Sequence, residues 1–272
     1  MIRLGEAGQA AWSKREFWLL LAVAWLAFIS IPFALGQIGI SWDALNHHIY
    51  LGWVADSPRF DRDYLAASYQ SYQFPYVYWP VYKLSQSGLS GAQAGAVLAS
   101  LNLLAVPPVW MMARICIPGE HPFDIGMRWI GVALAFSSPV VLSLFDSTSN
   151  DLHAAIPLVW AMAFGMKSVA AEGESAGRRA VLVSGIFAGM SIAFKLSNGP
   201  LAVLLPIFWT FSGGGLRQRA VNTMYGCLAM TVAAVVIYAY WGWQLWTHFG
   251  NPVYPFYDGL FAPIRTWCGW QG

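Results

Sequence analysis

Over most of this chain apolar residues neither alternate nor recur as a stripe; they run together in long blocks separated by more polar connectors. Phe17–Gly36 carries no charge at all, and a helix that is apolar all round belongs in lipid or in a large core. A bilayer crossing needs about 20 such residues, with a range of about 17–25. The runs Gly91–Ala113, Met127–Phe145, Leu152–Ala171 and Asn222–Trp246 meet that length. Ala180–Phe194 and Gly199–Phe211 are shorter and are hinged at Lys195-Leu196-Ser197-Asn198. The pattern predicts an all-α, polytopic transmembrane bundle of about seven spans forming one domain. A mixed-polarity loop, residues 37–90, follows the first span.

Composition narrows the class further. Of 272 residues, 57% are hydrophobic and 10% charged, and the mean hydropathy is +0.50; a soluble domain carries about 25% charged residues. That excludes an ordinary soluble enzyme, a disordered chain and a disulfide scaffold. A net charge of +2 without a basic patch excludes a nucleic-acid partner. The 15 Trp suit the two bilayer interfaces. Cys116, Cys227 and Cys268 have neither metal-site nor disulfide spacing.

Lys and Arg set the expected sidedness. With the N-terminus inside, ten of the fifteen, counting Arg3, fall on the cytoplasmic side, which predicts an N-in, C-out chain. Ala34-Leu35-Gly36 has the small-residue look of a signal cleavage site. The apolar run before it exceeds the roughly 7–15 residues of a signal core, so it reads as a retained anchor. Gly91-x-x-x-Gly95 and Gly185-x-x-x-Gly189 predict close helix packing, and Pro107-Pro108 and Pro157 predict kinks.

Carboxylates sort by side. Asp43, Asp56, Asp61, Asp63, Asp146, Asp151 and Asp258 fall outside, and Glu6, Glu16, Glu120, Asp124, Glu172 and Glu174 inside. None lies mid-span, whereas an ion-coupled transporter places ionisable groups near the midplane. The chemistry is therefore expected at the outer water–lipid boundary.

The outer loop opens Ile40-Ser41-Trp42-Asp43-Ala44-Leu45-Asn46-His47-His48-Ile49-Tyr50. Wound as an α-helix, Leu45, Ile49 and Trp53 form an apolar stripe, and Asp43, His47 and Tyr50 a polar one. Such a helix would lie flat on the membrane. Asp43 would then be a general base toward an acceptor hydroxyl, a metal ligand, or merely the helix cap. Adjacent histidines point to different faces of an α-helix, so His47 and His48 are expected to hydrogen-bond rather than share a metal. Tyr69–Tyr82 holds a dense run of aromatics that reads as an interfacial belt or as a wall for lipid or sugar. In the second outer turn, Asp146-Ser147-Thr148-Ser149-Asn150-Asp151, the two Asp either approach Asp43 or cap the next helix. Lys195, at the hinge, either meets a phosphate or snorkels to the surface.

The Asp-led first loop, Tyr72-Gln73-Phe74-Pro75, Asn150-Asp151, the helix end Phe194-Lys195-Leu196-Ser197 and Asn251-Pro252-Val253-Tyr254-Pro255 together form a pattern. It resembles the C-type membrane glycosyltransferases, the GT-C superfamily, and in particular a bacterial branch of it. The resemblance implies sugar transfer, with inversion, from an isoprenoid-phosphate donor held in membrane lipid to an acceptor on the outer face of the bacterial inner membrane. It implies Asp43, Asp151 and Asp146 as catalytic acids and Lys195 as the phosphate partner. His47, Tyr50, Tyr72 and Arg59 complete the candidate binding set. A divalent cation, Mg or Mn, is the candidate cofactor, with Asp43 and Asp151 as its ligands. Relatives often carry an acidic pair where Asp43 stands between Trp42 and Ala44. They also have more spans, so the chain is expected to be incomplete at its C-terminal end. The competing expectations are a transporter or flippase of a lipid-linked solute, and a non-catalytic relative.

Overall fold

The structure, a computed structural model, describes residues 6–39 and 41–271; Arg3 and Ile40, used above, lie outside them. It is all-helical apart from a short extended piece, Ala66–Tyr69. The helices are α1 (Glu6–Leu35), α2 (Ile49–Val54), α3 (Trp79–Ser85), α4 (Gly91–Leu101), α5 (Val106–Cys116), α6 (Pro122–Phe136) and α7 (Pro139–Leu144), followed by α8 (Asp151–Val169), α9 (Glu174–Phe194), α10 (Gly199–Ala202), α11 (Pro206–Trp209), α12 (Leu216–Phe249) and α13 (Asp258–Trp267).

Among the described residues, five helical stretches are long and apolar enough to cross a membrane: Lys14–Leu35, Gly91–Cys116 (α4 and α5 through a 3-10 turn), α8, α9 and α12. The two other expected spans are broken, each for a local reason. Met127–Phe145 divides after Phe136: Ser138 Oγ accepts from Val141 N at 3.3 Å and Pro139 restarts the helix as α7. Gly199–Phe211 holds only the four-residue helices α10 and α11, each with a proline in its first turn. Pro157 lies inside α8, which continues through it.

α9 is the centre of the bundle, packed between α8 and α12. Its buried face is small, including Gly185, Ala188, Gly189 and Ser191, so backbones meet directly. A Cβ on Gly189 would collide with the Met230 carbonyl, and it would come within 2.8 Å of Ala233 Cβ. Trp209 Nε1 donates to Ser184 Oγ at 3.0 Å and Ser184 Oγ to the Ala161 carbonyl at 2.7 Å, tying α11, α9 and α8 together. Gly189→Leu is expected to cost about 1–3 kcal/mol by overpacking. Gly131→Leu, where a Cβ meets nothing within 4 Å, should leave the melting temperature in detergent unchanged.

At one end of the bundle, α1, α5 and α6 share a buried charge network. Arg128 donates to both Glu16 oxygens at 2.8 and 2.6 Å and to the Ile117 and Gly119 carbonyls. Glu16 also accepts from Trp110 Nε1 at 3.0 Å. At the other end, Gly39 N donates to the Asp146 carbonyl at 2.8 Å and to Asp146 Oδ1 at 3.0 Å, joining the exit of α1 to the α7–α8 turn. Two of the acids that the sequence sorts to different sides, Glu16 and Asp146, thus sit toward opposite ends of α1.

Candidate functional site

The loop that follows α1 does not begin as a plain α-helix. Ala44–His48 is a π-helical turn that runs into α2, and π-turns often mark functional sites. The wider turn lets both histidines face inward: each is buried, with ring centroids 4.4 Å apart. The alternation of faces expected for adjacent histidines is therefore corrected by the winding. The exposed apolar residues of this turn are Trp42 and Leu45; of the expected stripe Leu45, Ile49 and Trp53, the last two are half-buried.

Asp43 is not the helix cap. Its side chain makes no capping bond, and Ser41 Oγ accepts from Ala44 N at 3.1 Å instead. The carboxylate is 53% exposed and stands 3.7 Å from His47 Nδ1, too far for a hydrogen bond. His47 Nδ1 is buried without a hydrogen-bond partner. Its neighbour His48 is held by Thr148, Nδ1 to Oγ1 at 2.8 Å, and by the ring of Tyr78 stacked at 5.0 Å. Burial pushes the His48 imidazole down to about 4, with His47 adding to the effect. Burial also lowers His47, against the pull of Asp43. Both rings are thus neutral near pH 7. Burial, with the Asp151 and Asp43 charges, pushes the Tyr78 phenol well above its ordinary range, so it stays protonated.

Asp151 and Lys195 complete the group. Lys195 Nζ pairs with Asp151 Oδ1 and lies 3.3 Å from Asn150 Oδ1. Ser149 Oγ donates to Asp151 Oδ2 at 2.6 Å. Neither Asn150 nor Asp151 caps α8 through its side chain; the Asp151 N–H is met by Ser149 Oγ at 3.2 Å. Lys195 therefore neither snorkels nor stands alone: its partner is in the chain. Asn198 Nδ2 fixes the hinge below it by donating to the Ala154 and Ser191 carbonyls.

Of the other candidates, Asp146, Arg59 and Tyr50 fall elsewhere. Asp146 spends its carboxylate on Gly39, and burial raises its pKa. Arg59 lies over Trp53 at 5.0 Å and pairs with Asp63 at 3.3 Å. Tyr50 packs on Trp53, and burial pushes its phenol up to about 12. Tyr72 is core: its ring packs on Phe249 and Tyr254, and its carbonyl accepts from Trp241 Nε1 at 3.0 Å. The aromatic run Tyr69–Tyr82 is mostly interior, with Tyr72, Phe74 and Tyr78 buried and only Tyr69 and Trp79 well exposed. His48, Thr148 and Tyr78 were not legible as site residues, because only the π-turn and the α7–α8 joint bring them together.

Lys195 also lines a cavity of about 160 Å³ with Tyr72, Phe74, Tyr254 and Phe256. Sites for drug-sized ligands span about 300–1,000 Å³, so this one admits a single small group against aromatic walls. The donor set does not fit a resident divalent cation. Asp151 has both oxygens engaged, His48 Nδ1 is on Thr148, and among the described residues no three His, Cys, Asp or Glu gather to hold a metal. What the arrangement offers is one free carboxylate beside a neutral imidazole, an ammonium group held on a second carboxylate, and an aromatic pocket. No known protein family, curated protein or solved structure matches this chain.

Proposed function

We propose that the chain is a membrane glycosyltransferase that moves a sugar from a polyprenyl-phosphate donor to an acceptor hydroxyl on the non-cytosolic face of a bacterial inner membrane. The observation that carries this reading is the convergence of Asp43, Asp151 and Lys195 on the His47–His48–Tyr78 core beside an aromatic cavity. In this reading the chain crosses seven times, N-in and C-out. The α6–α7 pair runs from the Glu16–Arg128 end to the Gly39–Asp146 end, and the residues from Lys195 to Gly213 return to the far end of α8, where Gly213 N donates to the Ser168 carbonyl at 3.3 Å.

The chemistry needs only the chain's own groups. Asp43 accepts the acceptor's proton as its oxygen forms the new bond to the anomeric carbon. The bond from that carbon to the carrier oxygen breaks, and its electron pair stays with the phosphate. Attack from the side opposite the phosphate inverts the centre. Asp151 holds the ammonium group here, so a phosphate engages Lys195 only once the Lys195–Asp151 pair opens. Lys195 then meets charge that develops as the phosphate leaves. A transporter is less well supported, since the paired charges sit at the two ends of the bundle.

The test is turnover by the purified chain in lipid nanodiscs, given undecaprenyl-phosphate-linked hexoses and pentoses with a cell-envelope acceptor fraction. Free undecaprenyl phosphate, detected by mass spectrometry, is the expected product. Recovery of every donor intact would overturn the reading.

A further inference from the structure

The C-terminal helix α13 presents two unlike faces. Leu260, Ile264 and Trp267 follow one another at spacings of four and three, one stripe of an α-helix, and are 69%, 42% and 87% exposed. Asp258 and Arg265 lie on the opposite face, two turns apart, joined by a two-pronged pair at 2.7 and 3.0 Å. That polar face is fastened to the bundle. Arg265 packs on Gly250, where an added Cβ would collide with its side chain, and it lies 3.4 Å from the Gly250 carbonyl. Gly250 takes the left-handed conformation that ends α12.

We propose that α13 lies in the lipid headgroup–acyl boundary beside the end of α12, with Leu260, Ile264 and Trp267 seated in the bilayer. α12 is the apolar crossing helix with the smallest buried share, and Val235, Val236, Tyr240 and Trp243 stand exposed toward the end at which α13 is tied. A helix fixed at that level by its charged face, with a Trp on its apolar face, meets the zone where amphipathic helices bury their apolar side about 5–10 Å deep. The contact also supports the cavity wall. Asn251 Nδ2 donates to the Phe256 carbonyl at 2.9 Å and lies 3.4 Å from Asp258 Oδ1. The loop that brings Tyr254 and Phe256 to the cavity is thereby held between α12 and α13.

The surface stands apart from the transfer chemistry, and its test needs no substrate. Cys116, Cys227 and Cys268 are replaced by Ser, and nitroxide labels are placed singly through Leu260→Cys, Ile264→Cys, Gly259→Cys and Thr266→Cys in phosphatidylcholine–phosphatidylglycerol nanodiscs. All four positions are exposed, so the labels need not disturb folding. Labels at 260 and 264 are expected to show a several-fold higher ratio of oxygen to nickel-chelate accessibility than those at 259 and 266. Equal access of the nickel chelate to all four positions would overturn the proposal, since the helix would then stand in water. So would exclusion of both reagents from 260 and 264, which would mean that protein covers the stripe.

Discussion

Asp43→Asn is expected to lower sugar transfer from a polyprenyl-phosphate donor by about 10²–10⁴-fold, the usual contribution of a positioned general base, with the melting temperature unchanged. The two halves of that expectation have separate grounds. The carboxylate is half exposed, makes no capping bond and leaves the Ala44 N–H to Ser41, so folding loses no hydrogen bond when an oxygen becomes an amide. The free oxygen is what the chemistry needs, since an amide cannot take a proton from an attacking hydroxyl. His47 adds a control. Its ring is buried at the floor of the site with Nδ1 unpartnered, so His47→Ala opens a cavity and lowers stability as well as rate. A rate lost with stability intact is therefore the mark of Asp43. Full transfer by the Asn variant, measured as released undecaprenyl phosphate, would remove Asp43 from the mechanism.

The bundle was legible where the physics is one-dimensional. Apolar length alone locates the five long spans, because a crossing helix must be apolar over its whole extent. Small residues four apart point to the close face of α9, and Gly185 and Gly189 do press on α12. What the pattern could not convey depends on partners distant in sequence or on winding. Ser138 before Pro139 turns one expected span into two helices, although hydropathy runs on through both. A π-turn at Ala44–His48 turns both histidines inward, where 3.6-residue spacing separates them. The ion pair of Lys195 with Asp151 joins positions 44 residues apart, and no local pattern distinguishes it from a lysine that reaches for solvent. The aromatic run Tyr69–Tyr82 has the composition of an interfacial belt, yet Tyr72 and Phe74 pack beneath α12 because Trp241 and Leu245 offer them a buried face.

The same limit explains why Glu16 and Arg128, 112 residues apart, were legible only as charges on one side. Breaking their buried pair is expected to cost about 3–5 kcal/mol of unfolding free energy, and unequally. Glu16→Leu leaves Arg128, 0% exposed, hydrogen-bonded only to the neutral Ile117 and Gly119 carbonyls, with the Glu120 and Asp124 charges near but not bonded to it. Arg128→Met leaves Glu16 with the Trp110 N–H at 3.0 Å and the Arg114 guanidinium at 3.7 Å. Arg114 can move toward the vacated carboxylate, since its other partner, Glu120, sits in the same network. Glu16→Leu should therefore be the more damaging change. The double variant should lose less than the two losses together, because neither charge is then stranded. SDS-titrated unfolding in bicelles measures all three. Additive losses, or a larger loss from Arg128→Met than from Glu16→Leu, would show that the pair is not what holds α1, α5 and α6 together at that end.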